Sequence, residues 1–275
     1  MIRAFVGSGG KTGTIMKQAA AYRGEGKRVL ITTSTQMGAR EGTIIGDEAQ
    51  PIIERLEREG FAMAGTKANR EGKMAALSDK TFREAAAHAD IVLVEADGSR
   101  QHPLKFPNAT EPVIPEGTDE IFIICGLSAI GKPAKDVCHR LELVKAAIGI
   151  EEDTIITGEH VRDLVKKAYL EPLSVKYPEA KLVLYPCQRD TLYLRAVAAL
   201  LQADMDPSMI DEKWFCSVAV YGNASFVLEI VTQSPNGSRI GAMTIAQEKG
   251  ILKPQFSQRE DETVLLLPLE RWEKR

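Results

Sequence analysis

Cysteine is scarce, and its placement excludes more than its number. The four cysteines (Cys125, Cys138, Cys187, Cys216) form no C-x-x-C pair and show no ligand-like spacing. They read as reduced thiols of a cytoplasmic protein, with neither a disulfide framework nor a zinc site expected. Positive charge is not in excess either: 35 Lys and Arg stand against 38 Asp and Glu, a formal net charge of −3. That balance offers no electrostatic reason to expect a nucleic acid partner. No apolar run approaches the ~20 residues needed to cross a bilayer, so no membrane partner is expected. The first apolar run opens at Ile2, and no signal peptide is expected ahead of it. Internal repeats and low-complexity segments are also lacking.

What remains is ordinary globular material, 44% hydrophobic and 27% charged over 275 residues. Such a chain can bury one large core, with or without a small appendage. Its most informative stretch comes first. Ile2 to Val6 reads as a strand, Gly7-Ser8-Gly9-Gly10-Lys11-Thr12-Gly13 as a turn, and Ile15, Ala19 and Tyr22 share one helical face. Strand, glycine-rich turn, Lys-Thr and helix is the order that a phosphate-binding loop requires. Glycines let several N–H groups converge on one anion, the helix N-terminus adds partial positive charge, and Lys11 adds a full one. Thr12 offers a hydroxyl to an accompanying Mg²⁺. The loop is shorter than G-x-x-x-x-G-K-[ST], whose first glycine would fall on Phe5, and a dinucleotide G-x-G-x-x-G fails at Thr12. A glycine-rich turn with an incidental lysine is the competing reading.

Further strands are expected at Val29–Ile31, Phe61–Ala64, Ile91–Val94, Ile121–Cys125 and Lys181–Tyr185, alternating with helices at 49–58, 79–88, 141–148, 161–168 and 192–201. Residues 36–47 and 66–72 read as loops, and Pro172 as a helix stop. Alternating strands and helices predict an α/β fold, a P-loop NTPase-like, three-layer, mostly parallel sheet over residues 1–205. Short strands and turn signals after Asp206-Pro207 predict a small β-rich region over 206–275.

In such a sheet, ligands gather at the carboxyl ends of the strands. The hydroxyls of Thr32 to Thr35, Thr33 among them, would then lie near a nucleotide, although threonine also simply favours strands. Glu95 and Asp97 end the most apolar strand. Two residues apart, they point the same way and suit Mg²⁺ beside Thr12; Asp97-Gly98 is also an ordinary turn. A proline-rich excursion, 99–116, follows with Arg100 and Lys105, and the next strand end brings Lys132, His139 and Arg140. These basic groups would face an anionic second substrate, or else form a solvated surface. Where a guanine-specific GTPase carries Asn-Lys-x-Asp, this chain has Tyr185-Pro186-Cys187-Gln188-Arg189-Asp190, so ATP is expected rather than GTP.

Several blocks together resemble the YqeC-type family of selenium-dependent molybdenum hydroxylase accessory proteins. They are Val6 to Thr12, Ile31 to Met37, Val94 to Arg100, Pro103 to Lys105, Glu111 to Pro115, Gly126 to Pro133, and His139-Arg140. They run in the family's order over roughly residues 4–170. A more distant likeness is to Mur-type amide ligases, which carry a short G-x-x-G-K-T loop and a strand ending in Glu-Ala-Asp whose glutamate binds Mg²⁺. These resemblances imply an ATP·Mg²⁺ core engaged in maturing a selenium- and molybdenum-containing cofactor, with a molybdenum hydroxylase or other maturation proteins as partners. Two roles stay open. One is an ATP-dependent transferase or ligase that activates an anionic cofactor precursor, with Lys11, Asp97, Arg100, His139 and Arg140 at the reacting centre. The other is a nucleotide-dependent chaperone that loads the cofactor into an apo-hydroxylase.

Overall fold

The computed structural model describes residues 1–98 and 101–187, together with four strands between 215 and 255. The chain divides into two compact units, Met1–Cys187 and Gln188–Arg275. In the first, the elements run β1 (Ile2–Gly7), α1 (Lys11–Gly24), β2 (Val29–Thr33), β3 (Gln36–Gly38), β4 (Ile44–Ile45), α2 (Ala49–Glu59), β5 (Phe61–Lys67), β6 (Lys73–Ala75), α3 (Asp79–Ala87) and β7 (Ile91–Glu95). They continue through β8 (Leu104–Lys105), β9 (Glu120–Gly126), α4 (Ala134–Val137), β10 (Cys138–His139), α5 (Leu141–Ile148), α6 (Gly158–Val165), a π-helical stretch (Lys166–Leu170), α7 (Glu171–Lys176) and β11 (Lys181–Cys187).

The central sheet has the order β11-β9-β1-β7-β2-β5-β6-β3, with β4 beside β5. The six long strands are parallel, and antiparallel pairing is confined to β6 with β5 and β3. Alternation along the strands sorts the core into two layers. Val29, Ile31, Ile91 and Leu93 face Ile15 and Ala19 of α1, with Phe5, Phe122 and Ile124 in the same cluster. Leu30, Val92 and Val94 point the other way, onto Ile52 and Leu56 of α2 and Ala85 of α3. The α/β class with a mostly parallel sheet is therefore as expected, with helices on both faces.

The connections explain where a site can form. From β1 the chain passes through α1 to β2, leaving a gap that β7 later fills between them. From β7 it crosses the end of β1 to reach β9 on the other side. The carboxyl end of β1 is thus the point at which strand order reverses, where open sheets of this kind leave a crevice. Pairing of β8 with β10 ties the excursion after β7 to the segment after β9 (Leu104 with Cys138, Lys105 with His139).

Two local expectations fail for identifiable reasons. Residues 36–47 contain two short strands, because Met37 and Met74 are buried in the core and draw their segments onto the sheet edge, whereas the turn expected at 66–72 is present as residues 68–72 of a β5–β6 hairpin. Pro172 does not stop the helix: it lies in the first turn of α7, directly after the π-helical stretch, where its missing N–H is tolerated. In the second unit, β12 (Phe215–Tyr221), β13 (Ser225–Ser234), β14 (Gly237–Glu248) and β15 (Ile251–Gln255) form an antiparallel meander. Its last strand holds Pro254 at a sheet edge, the place a sheet tolerates proline. The helix expected at 192–201 and the part of the expected β-rich region beyond residue 255 lie outside the described residues. Among the described residues, no helix is long and apolar enough to cross a membrane.

Candidate functional site at the carboxyl end of the first strand

The loop between β1 and α1 needs its glycines. Gly7 has φ +87°, and a Cβ there would lie 2.0 Å from Ile124 O. Gly9 has φ +81°, and a Cβ there would lie 2.5 Å from Gly126 Cα and 2.8 Å from Pro103 O. Both are left-handed conformations pressed against backbone, so a side chain has nowhere to go. Ser8, buried in the loop, donates from its hydroxyl to Pro103 O at 3.0 Å and from its N–H to Ile124 O at 2.9 Å. The first intrahelical bond of α1 runs from Thr14 N–H to Gly10 O, at 2.9 Å. The N–H groups of Lys11, Thr12 and Gly13 therefore stand ahead of the helix's own hydrogen bonding, at its positive end.

Two carboxylates close the site from β7. Parallel pairing sets Glu95 beside Phe5 and Thr33, at the ends of their strands. Glu95 accepts a hydrogen bond from Thr12 Oγ1 at 2.8 Å, while its backbone carbonyl accepts from Thr33 Oγ1 at 2.7 Å and from Ser34 N–H at 3.1 Å. Burial raises the Glu95 carboxyl above the ordinary range, partly offset by the Lys11 charge and the Thr12 hydroxyl. Asp97 is fully buried and makes different contacts. Its Oδ2 accepts from Gly7 N–H at 2.9 Å and from Tyr169 OH at 3.2 Å, and Lys105 Nζ lies 3.1 Å away. Lys11 Nζ approaches Asp97 Oδ1 at 2.9 Å as an ion pair, outside a hydrogen-bonding direction, and donates to Gly7 O at 2.5 Å.

The chain of charges continues outward. Lys105 Nζ donates to Gly98 O at 2.6 Å and Glu111 Oε2 at 2.7 Å. Arg140 grips Glu111 with both terminal nitrogens, at 2.7 and 3.1 Å, and donates to Phe106 O at 3.2 Å. Arg140 itself is left-handed, with φ 60°, a conformation that costs a non-glycine residue roughly 1 kcal/mol and here aims the guanidinium at Glu111. Burial works against the Glu111 charge, but the hydrogen bonds from Arg140 and Lys105 outweigh it and pull the carboxyl down to about 2. Tyr169 is pushed up by burial and by the Asp97 charge.

The expected site residues thus fall into three groups. Gly7, Ser8, Gly9, Gly10, Lys11, Thr12, Gly13, Thr33, Glu95 and Asp97 come together at the ends of β1, β2 and β7. Lys105 and Arg140 join them through Asp97 and Glu111, their charges engaged by those two carboxylates. Lys132 is exposed on its loop, His139 stacks on His102 with ring centroids 5.8 Å apart, and Arg100 lies outside the described residues. Two members escaped sequence reasoning. Glu111 could have been inferred, because a buried lysine in the same excursion demands a carboxylate. Tyr169 carries no signal, since it reads as one more apolar residue of a helix.

The oxygens of Thr12 and Glu95 are hard donors of the kind Mg²⁺ takes, and they already meet at hydrogen-bond distance. Asp97 fits a metal poorly, because cations and donors occupy both its oxygens. Among the described residues, no cluster of three or more His, Cys, Asp or Glu side chains is arranged to hold a metal. An ion at Thr12 and Glu95 would therefore take its remaining ligands from phosphate and water.

Comparison with known proteins bears on the same region. The chain is similar to the uncharacterized protein YqeC of Escherichia coli (strain K12), at 30% identity over 169 residues, covering 58% of this chain and 66% of that relative. The matched span is just short of two thirds of the relative's length. The model of the family described as YqeC protein matches residues 3–142, which include every site residue above except Tyr169. The chain belongs to the YqeC protein family.

Proposed function

We propose that this chain is an ATP- and Mg²⁺-dependent P-loop protein that activates or phosphorylates an anionic precursor in maturing the cofactor of a selenium-dependent molybdenum hydroxylase. One observation carries the nucleotide half of this reading. Free first-turn amides, Lys11 and the Thr12–Glu95 pair converge at the carboxyl end of β1, where strand order reverses. In this reading the amides of Lys11, Thr12 and Gly13 hold the terminal phosphates, and the Lys11 ammonium neutralises charge that develops on transfer. Thr12 and Glu95 would hold Mg²⁺, which would supply charge to offset that of the phosphates. Glu95, kept in a buried site, orders the Thr12 hydroxyl beforehand.

The acceptor half rests on the family resemblance and on placement. The excursion after β7 and the segment after β9 are tied together beside the loop, bringing His102, His139 and the start of α5 to the side opposite Glu95's strand neighbour β2. Arg100, Lys132 and His139 are the basic groups assigned to the acceptor. Purified protein should turn over ATP in proportion to a pterin or selenium-containing precursor supplied with it. Lys11→Ala should lose on the order of 10²–10³ in that turnover. Equal turnover by the wild type and Lys11→Ala would remove Lys11 from the reaction and overturn the phosphate-loop reading.

A further inference from the structure

We infer that Lys105 and Tyr169 are positioning residues for Lys11: they hold the Asp97 carboxylate so that Lys11 can leave it for an anion at the loop. The inference rests on the phosphate-loop reading and adds to it the means by which the lysine is released. Lys11 is only 4% exposed, and its ammonium is engaged by Asp97 and Gly7 O, away from solvent. To meet an anion seated on the first-turn amides, it must give up Asp97. Asp97 is 0% exposed, and an ionised carboxylate left there without a cation would be costly.

The arrangement already contains the replacement. Lys105, 1% exposed, sits on the other oxygen of Asp97 at 3.1 Å and is anchored from behind by Gly98 O and Glu111. Tyr169 and Gly7 N–H donate to that same oxygen. The charges add up in one direction. Lys11, Lys105 and Arg140 are three cations on two carboxylates, Asp97 and Glu111. Glu95, the other carboxylate near Lys11, is bonded to Thr12. When Lys11 leaves Asp97, two balanced pairs remain, Lys105 with Asp97 and Arg140 with Glu111. Lys105 therefore assists anion binding without touching the anion.

The test is a double-mutant cycle read by equilibrium binding of a fluorescent ATP analogue in the presence of Mg²⁺. Lys105→Met should weaken binding by about tenfold or more, because Lys11 would leave Asp97 with no cation. Tyr169→Phe should act in the same direction, about two- to tenfold. Asp97→Asn removes the charge that needs holding, so Lys105→Met/Asp97→Asn should bind within about threefold of Asp97→Asn alone. If Lys105→Met does not fold, Tyr169→Phe and Tyr169→Phe/Asp97→Asn form the same cycle with an intact ion chain. A loss that persists undiminished in the Asn background overturns the inference alone, since Lys105 or Tyr169 would then act on the anion or on the fold. Wild-type protein that binds no nucleotide overturns the phosphate-loop reading, and this inference with it.

Discussion

Glu111 offers the sharpest quantitative test of the ion chain. Its carboxyl lies at about 2, against an ordinary 4.5. At 1.36 kcal/mol per pH unit, that difference corresponds nominally to about 3 kcal/mol of stability. The side chain is 14% exposed, and solvent screening reduces the figure to roughly 1–2 kcal/mol. The sign follows from the direction of the shift. A lowered carboxyl contributes in full above 4.5, and the contribution fades as pH falls toward about 2. Glu111→Gln should therefore be less stable than the wild type by about 1–2 kcal/mol at pH 7. At a urea slope of roughly 2 kcal/mol per M, the unfolding midpoint should fall by about 0.5–1 M. The gap should narrow as both proteins are titrated below pH 4.5 and nearly close around pH 2. Other carboxylates titrate in the same window, but they are common to both proteins and cancel in the difference. A gap that stays constant with pH, or none at pH 7, would refute the claim that Arg140 and Lys105 stabilise an ionised Glu111.

The loop glycines separate strain from propensity. Gly9→Ala forces a Cβ to within 2.5 Å of Gly126 Cα at φ +81°, and should cost on the order of 1–3 kcal/mol in thermal or urea unfolding and abolish nucleotide binding. Gly13→Ala has no atom within 4 Å of the new Cβ and a helical position to fill, so unfolding measurements should show a gain of about 0.5–1 kcal/mol.

The elements most legible in the sequence are those with a strong local signal. The apolar runs of β1, β2, β7 and β9 stand out because buried parallel strands admit no polar face. Leu141–Ile148 is bounded by Gly149, which adopts the left-handed φ 68° that its position after a helix requires. Legibility failed where tertiary contacts decide. Met37 and Met74 pair across β3 and β6, an arrangement that no local propensity announces. Around the candidate site, strand-end position in the sequence implied that Lys11, Thr12, Glu95 and Asp97 would lie close, and parallel topology brings them together. Partnership was not legible. Nothing in the spacing of Glu95 and Asp97 indicates that one would bond Thr12 while the other would hold two lysines and a tyrosine seventy-two residues away. Tyr169 reaches Asp97 from a π-helical stretch, and Arg140 reaches Glu111 from a left-handed turn, neither of which the local sequence announces.

The most direct measurement is the affinity for ATP with and without Mg²⁺, made in parallel on the wild type and on Glu95→Gln. Mg²⁺ should tighten ATP binding by the wild type. That tightening should fade as pH falls, sooner than for an ordinary carboxylate, because burial raises the Glu95 carboxyl and protonation removes the ligand. Glu95→Gln should lose the Mg²⁺-dependent tightening while binding ATP without Mg²⁺ within a few-fold of the wild type. Tightening that survives in Glu95→Gln, or a wild type that shows no saturable binding of ATP in either condition, would contradict the account.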